Sequence, residues 1–117
     1  MSKNYFDTID ALFETNPAAA RTLDNAVDAY IGVMEIHDNG VATLHRTAQN
    51  RFELNLLEGT NPEYTALRYY SSREAVSRQI EELLLESGWQ WVGGDYQYSS
   101  GWLQYDGIEL CVTNELD

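Results

Sequence analysis

The chain has 117 residues, of which 44% are hydrophobic. This is as expected for one globular domain spanning residues 1–117, with enough apolar side chains for a core. Its 19 acidic and 7 basic residues give a net charge of −12, which argues against direct binding to nucleic acid or to an anionic membrane. We expect a cytoplasmic protein, because the first residues lack the pattern of a signal peptide and no stretch is long and apolar enough to span a bilayer.

The acidic residues are concentrated at the two ends of the chain. Residues 1–45 carry seven acids against two basic residues, a net of −5. Residues 46–78 have a net charge of +1, with four acids and five arginines, and residues 79–117 have eight acids and no lysine or arginine, a net of −8. Two acidic ends therefore flank a nearly neutral middle.

Two helices are predicted in the first 40 residues. The first covers residues 5–14, with Asn4 as its N-cap, and its acids face outward. The second begins at Asn16-Pro17, since proline is favoured in the first helical turn, and continues to the chain reversal at Asp38-Asn39-Gly40. Its predicted apolar face consists of Ala20, Leu23, Val27, Tyr30, Ile31 and Met34.

The middle of the chain gives weaker signals. Residues 41–58 fit either a helix or a strand, and the alternation around Phe52 and Leu54 favours a strand over residues 51–57. Residues 64–70 are rich in tyrosine and threonine, as strands are, although the preceding Asn61-Pro62-Glu63 is also compatible with the start of a helix. Both alternatives stay open for that segment.

The C-terminal half gives clearer signals. Ser71-Ser72-Arg73-Glu74 matches a capping box and predicts a helix over residues 72–87 that ends at Ser87-Gly88. The short aromatic and β-branched runs that follow are separated by turn residues, including Asp106-Gly107, a dipeptide typical of tight hairpins. The predicted fold class is α+β, with N-terminal helices and a central helix packed on an antiparallel, hairpin-rich sheet.

No pattern in the sequence indicates an enzyme, a cofactor or a metal site. His37 and His45 flank a turn without further ligands at zinc spacing, and Gly93-Gly94 is followed by Asp95 instead of the residues of a phosphate-binding loop. The single cysteine, Cys111, lies in an apolar run and is interpreted as a small buried side chain. We expect a non-enzymatic protein without cofactors. A small hydrolase or ligand-binding domain is kept as an alternative hypothesis.

Six aromatic residues lie within seventeen positions near the C-terminus: Trp89, Trp91, Tyr96, Tyr98, Trp102 and Tyr105. No cation lies among them to hold a phosphate backbone, so base stacking is not expected. Most are predicted to pack in the core, and one or two exposed rings beside carboxylates would make a protein-binding patch.

The acids of the second predicted helix form the most specific pattern. At about 100° per residue, they fall within an arc about 80° wide if the helix is continuous. Such a row of carboxylates has a spacing comparable to that of charges along a DNA strand. The row consists of Asp24, Asp28, Glu35 and Asp38. A second patch is predicted in the C-terminal half, from Glu82, Glu86, Asp95, Asp106 and Glu109.

In its length, its acidity and this carboxylate row, the chain resembles the bacterial DNA-mimic proteins, and in particular the small acidic kind that binds the histone-like protein HU. The resemblance implies a non-enzymatic inhibitor that occupies the DNA-binding surface of a basic protein and competes with DNA, as a monomer or weak dimer. The alternative is an immunity or antitoxin-like partner of a basic toxin, or an inhibitor of a restriction or CRISPR nuclease, in which charge speeds association and aromatic anchors hold the complex.

Overall fold

Three helices precede the first strand in the chain, and a fourth helix lies between the second and third strands. The computed structural model describes residues 4–56, 73–95 and 100–113. The helices are α1 (Tyr5–Thr15), α2 (Pro17–Tyr30), α3 (Val33–Asn39) and α4 (Arg73–Glu86). The strands are β1 (Ala42–Ala48), β2 (Arg51–Leu56), β3 (Gln90–Asp95), β4 (Ser100–Tyr105) and β5 (Ile108–Thr113). The predicted α+β class is confirmed.

Local capping fixes the first two helices as predicted. The Asn4 side-chain oxygen accepts hydrogen bonds from the backbone amides of Phe6 (2.8 Å) and Asp7 (3.3 Å), which satisfies donors that have no partner inside the helix. The Asn16 side chain does the same for Ala19 (3.1 Å), and Pro17 occupies the first turn of α2. The two helices therefore start where the sequence indicates.

The prediction that α2 continues to Asp38 is wrong. The helix ends at Tyr30, and α3 begins at Val33 after a break in which Gly32 adopts φ 83°. Glycine takes this left-handed conformation without the steric cost of a Cβ atom, so the chain can change direction here. Ile31 is buried at the break, whereas Met34, predicted to lie on the buried face, is 65% exposed.

The sheet has the strand order β1-β2-β5-β4-β3 and is mixed rather than wholly antiparallel. Three neighbouring pairs are antiparallel, and β2 pairs in parallel with β5, with Phe52 opposite Leu110 and Leu54 opposite Val112. A parallel pair needs a long crossover connection, and α4 lies in that part of the chain. β5 therefore occupies the centre of the sheet although it is the last described strand.

The strands in the second half of the chain follow the predicted turns. Asp106 and Gly107 have φ angles of 47° and 81° and join β4 to β5 in a two-residue hairpin, as predicted. The segment 42–48 is a strand, as is 51–56, which resolves the ambiguity there in favour of strand. The alternatives for residues 64–70, the capping serines Ser71 and Ser72, and the run 96–98 lie outside the described residues.

The helices cover one face of the sheet. α1 packs on α2 and β1, α2 packs on α4, and α4 reaches β5. The buried layer between helices and sheet includes Leu12, Leu23, Ile80, Leu44, Leu54 and Leu110. In the described ranges, no helix is long and apolar enough to cross a membrane. This arrangement leaves α1 at one side of the helical layer and α4 at the other, with α2 between them.

Candidate partner-binding surface

The clearest row of carboxylates lies on α1. Asp7, Asp10 and Glu14 are all exposed, and at about 100° per residue they span an arc about 60° wide. Ile9 and Leu12 lie on the opposite side of the helix and are buried. No lysine or arginine occurs in α1. We call these three residues the α1 acidic stripe. Sequence reasoning placed its members on an outward face but did not include them in the candidate site.

The two acids of the predicted row that lie on α2 have different environments. Asp28 is exposed, and Asp24 is only partly so, because its Oδ1 accepts a 2.8 Å hydrogen bond from the hydroxyl of Tyr5. Tyr5 is buried on α1, so this bond ties the first helix to the second. Asp24 therefore has a structural role at the α1–α2 contact, while Asp28 is an exposed acid of α2.

The phenol of Tyr5 is held in its neutral form. Burial raises its pKa, and the charge of Asp24, the hydrogen bond to Asp24 and the charge of Asp28 raise it further. Because the unfolded chain releases this proton at about pH 10 while the folded chain retains it, the folded state binds the extra proton above that pH. The contribution of Tyr5 to stability is thus complete below pH 10 and declines as the pH rises beyond it.

Tyr5→Phe is expected to change how stability depends on alkaline pH. Below pH 9 the variant should be less stable by about 0.5–1.5 kcal/mol, since it lacks the bond to Asp24. Above pH 10 the difference should shrink by up to about 1.4 kcal/mol per pH unit, because the variant has no proton to retain. Urea unfolding at several pH values measures this. A difference between the two proteins that stays constant up to pH 11 would show that Tyr5 ionises normally in the folded state.

Glu35 and Asp38 lie on α3, beyond the break at Gly32. The predicted row assumed one continuous helix, so its four residues do not share a helix axis and the arc calculated for them does not apply. The side chains of Glu35 and Asp38 lie outside the described part of the structure. The row is therefore corrected to two acids on α2 and two positions on a separate helix.

The predicted C-terminal patch is divided among different elements. Glu82 and Glu86 are exposed on α4, on the far side of α2 from the α1 acidic stripe. Asp106 lies in the β4–β5 turn, where its carboxylate accepts a 3.3 Å hydrogen bond from the Asn16 side chain. Asp95 is at the end of β3, and its side chain is outside the description.

Glu109 is paired with a cation. Its Oε2 lies 3.0 Å from Nε of Arg51, its neighbour across the parallel β2–β5 pair. The Arg51 guanidinium also lies over the ring of Trp102, 4.4 Å from the ring centroid. Arg51 therefore offsets the charge of Glu109, which makes Glu109 a weaker candidate for partner binding than the exposed acids of the helices.

The aromatic cluster is divided between core and surface. Trp89 is buried, its indole N–H donates to Thr22 Oγ1 (2.6 Å), and its ring packs against Tyr105 with centroids 5.4 Å apart. Trp91 is 36% exposed on the edge strand β3. Tyr96 and Tyr98 lie outside the described residues. Trp89 and Tyr105 thus stabilise the fold, whereas Trp91 reaches the surface.

The histidines lie in separate places. His37 is on α3, where its ring contacts that of Phe6, and His45 is on β1 opposite Glu53. Among the residues that the structure describes, no group of three or more histidine, cysteine or acidic side chains is arranged to hold a metal ion. No family model matches the chain, and no match was found among curated proteins or solved structures.

Proposed function

We propose that this protein is a non-enzymatic DNA mimic, which binds the DNA-binding surface of a basic protein such as an HU-like nucleoid protein and competes with DNA for it. The observation that carries the proposal is the α1 acidic stripe of Asp7, Asp10 and Glu14, which is exposed along its length and has no cation on its own helix. Under this proposal, the protein acts in the cytoplasm as a monomer or weak dimer.

The spacing of the stripe supports this function. At a rise of about 1.5 Å per residue, its carboxylates follow one another at about 4.5 and 6 Å along the axis of α1. Phosphates along one strand of a DNA duplex advance by about 3.4 Å per nucleotide along the duplex axis, so two nucleotides advance by about 7 Å along that axis. A surface of lysines and arginines that follows a DNA strand can therefore meet the α1 carboxylates in succession.

The neighbouring helix α2 also carries acids. Asp28 is exposed on α2, and Asp24 of the same helix is hydrogen-bonded to the buried phenol of Tyr5 at the α1–α2 contact. Arg21 is exposed on α2 as well and offsets part of the charge. The helical hairpin α1–α2 remains net acidic, which favours fast, electrostatically steered association with a basic partner.

The test is a competition experiment in which an HU-type protein holds a fluorescent DNA duplex. We expect this protein to displace the duplex, with an apparent affinity that falls about ten- to a hundred-fold between about 50 and 200 mM salt, because the contacts are mainly between exposed charges. Fluorescence anisotropy gives both quantities. A control titration with duplex alone checks that the acidic protein does not bind DNA.

Two results would contradict the proposal. One is a complex that forms with the HU-type protein without releasing the duplex, since a mimic must occupy the DNA site. The other is displacement with an affinity that does not respond to salt, since paired exposed charges are screened at high ionic strength.

A second candidate is an immunity-like inhibitor that holds a basic toxin or nuclease through aromatic anchors. The observation that favours it is the edge strand β3, where Trp91 is 36% and Val92 52% exposed. Rigid aromatic side chains at a surface are typical binding hot spots. The same salt titration separates the two functions, because a complex held by aromatic anchors keeps most of its affinity at high salt.

A further inference from the structure

A cleft opens between the first turn of α1, helix α3 and the start of β1. Its volume is about 320 Å³. Its lining residues are Asn4, Tyr5, Phe6, Ile36, His37, Gly40, Ala42 and Thr43. We call it the α1–α3 cleft. Phe6 and His37 meet at its wall with ring centroids 6.2 Å apart. The cleft therefore presents a largely apolar, ring-lined surface.

Exposed apolar side chains lie beside the cleft on α3. Val33 is 51% and Met34 65% exposed, and they are on the same short helix as the cleft residues Ile36 and His37. Two large hydrophobic side chains at the surface of this seven-residue helix keep apolar area in contact with water. A bound apolar group would remove that area from water, which is favourable. Methionine is also suited to such a surface because it adapts its shape to different partners.

The cleft is large enough for a side chain of a protein partner. Pockets for small ligands have volumes of about 300–1,000 Å³, so this cleft is at the lower end of that range. One aromatic or branched apolar side chain, as found at the anchor points of protein interfaces, fits into it with space to spare.

The charges around the cleft indicate what accompanies that side chain. Asp7 is exposed directly after the cleft residue Phe6, and its backbone amide lies 3.3 Å from the side-chain oxygen of the cleft residue Asn4. No lysine or arginine is found among the described residues that line the cleft. An apolar group flanked by cations is therefore complementary to this region, whereas one flanked by carboxylates is repelled.

We propose that the α1–α3 cleft and the exposed side chains of Val33 and Met34 beside it on α3 together receive one aromatic or branched apolar side chain of the basic partner, while the exposed carboxylate of Asp7 binds a lysine or arginine that flanks that side chain. This inference rests on the proposed function and specifies it, since it adds a residue type that the partner must present. Burial of a single phenyl ring is expected to raise affinity about tenfold or more, because full burial of such a side chain contributes substantially.

The experiment uses two fluorescent lysine-rich peptides that differ at one central position, phenylalanine in one and serine in the other. Wild-type protein should bind the phenylalanine peptide about tenfold more tightly. The double variant Val33→Ser/Met34→Ser should lose most of that preference and bind the serine peptide as before. Leu85→Ser is the control, because Leu85 is also an exposed apolar side chain (40% exposed) but lies on a different helix, α4.

The outcomes separate this inference from the proposed function. Equal affinity of the two peptides for wild-type protein overturns the cleft and leaves the charge-based function in place. A preference that survives Val33→Ser/Met34→Ser, or that Leu85→Ser also removes, places the apolar contact elsewhere and overturns the cleft as well. Failure of both peptides to bind overturns the cleft, while the duplex-displacement experiment tests the charge-based function separately. A preference that disappears only in the α3 variant supports the cleft. If amide substitutions in the α1 acidic stripe leave both affinities unchanged, that result contradicts the mimicry but not the cleft.

Discussion

The variant Asp7→Asn/Asp10→Asn/Glu14→Gln is expected to bind an HU-type protein about a hundred times more weakly than wild type at low salt. Each carboxylate that meets a lysine or arginine contributes about one unit to the slope of log affinity against log salt, so removing three should lower that slope by up to about three. Amide side chains keep nearly the same size, and all three residues are exposed, so α1 should remain folded. Anisotropy titrations over a range of salt concentrations measure both effects.

The control for that variant is Glu82→Gln/Glu86→Gln. These two carboxylates are also exposed on a helix, but α4 lies on the other side of α2 from α1. We expect their loss to change affinity by less than about threefold, the effect of long-range attraction that salt screens over about 10 Å. If affinity falls equally per carboxylate removed from either helix, net charge alone determines binding, and α1 has no special role.

Trp89→Ala is expected to destabilise the protein by about 3–5 kcal/mol, the usual effect of truncating a buried large aromatic side chain. Trp89 is 2% exposed, and it connects the start of the C-terminal strands to helix α2 through Thr22 and to β4 through Tyr105. Its removal leaves a cavity and also leaves these neighbours without their contact. Denaturant unfolding gives the free energy, and an unchanged slope with denaturant concentration would show that the folded state stays compact.

Two further variants test why Trp89 is important. Thr22→Val removes the acceptor of the indole N–H and also the hydroxyl that donates to the Ala19 carbonyl (2.8 Å), and it should cost about 1–3 kcal/mol, mainly the cost of a buried donor without its partner. Trp91→Ala removes an indole that is 36% exposed and should cost clearly less than Trp89→Ala. Similar losses for Trp89→Ala and Trp91→Ala would mean that burial in the core does not distinguish the two residues.

The parts of the fold that depend on local signals were predictable from the sequence. Asn4 and the Asn16-Pro17 pair mark the starts of α1 and α2, and Asp106-Gly107 forms the β4–β5 turn. In each case a side chain or a φ preference acts on backbone groups within three residues, so the information lies in a short segment.

Features that depend on distant contacts were not predictable. The sequence allowed a helix to pass through Gly32, since one glycine costs a helix only about 1 kcal/mol, and the break is seen only with the tertiary structure. The parallel pairing of β2 with β5 joins segments more than fifty residues apart, and the hairpin signals gave no information about it. The prediction of an antiparallel sheet therefore lacked the one parallel strand pair.

The same distinction applies to the candidate site. The outward position of the α1 acids follows from helical periodicity, and the structure confirms it. The partners of Asp24 and Glu109 lie 19 and 58 positions away in the sequence, at Tyr5 and Arg51, so their involvement in hydrogen bonding or ion pairing required the fold. Exposed acids and structural acids look alike in a sequence with 19 of them.

The central position of β5 has a consequence for synthesis of the chain. β5 lies between β2 and β4, so the hairpin of β1 and β2 has an open edge until residues up to 113 have left the ribosome. Before β5 is available, the pairs β1–β2 and β3–β4 have no strand to join them into one sheet. Completion of the fold depends on a pairing between distant segments, which is slower than the closing of the local helices and hairpins.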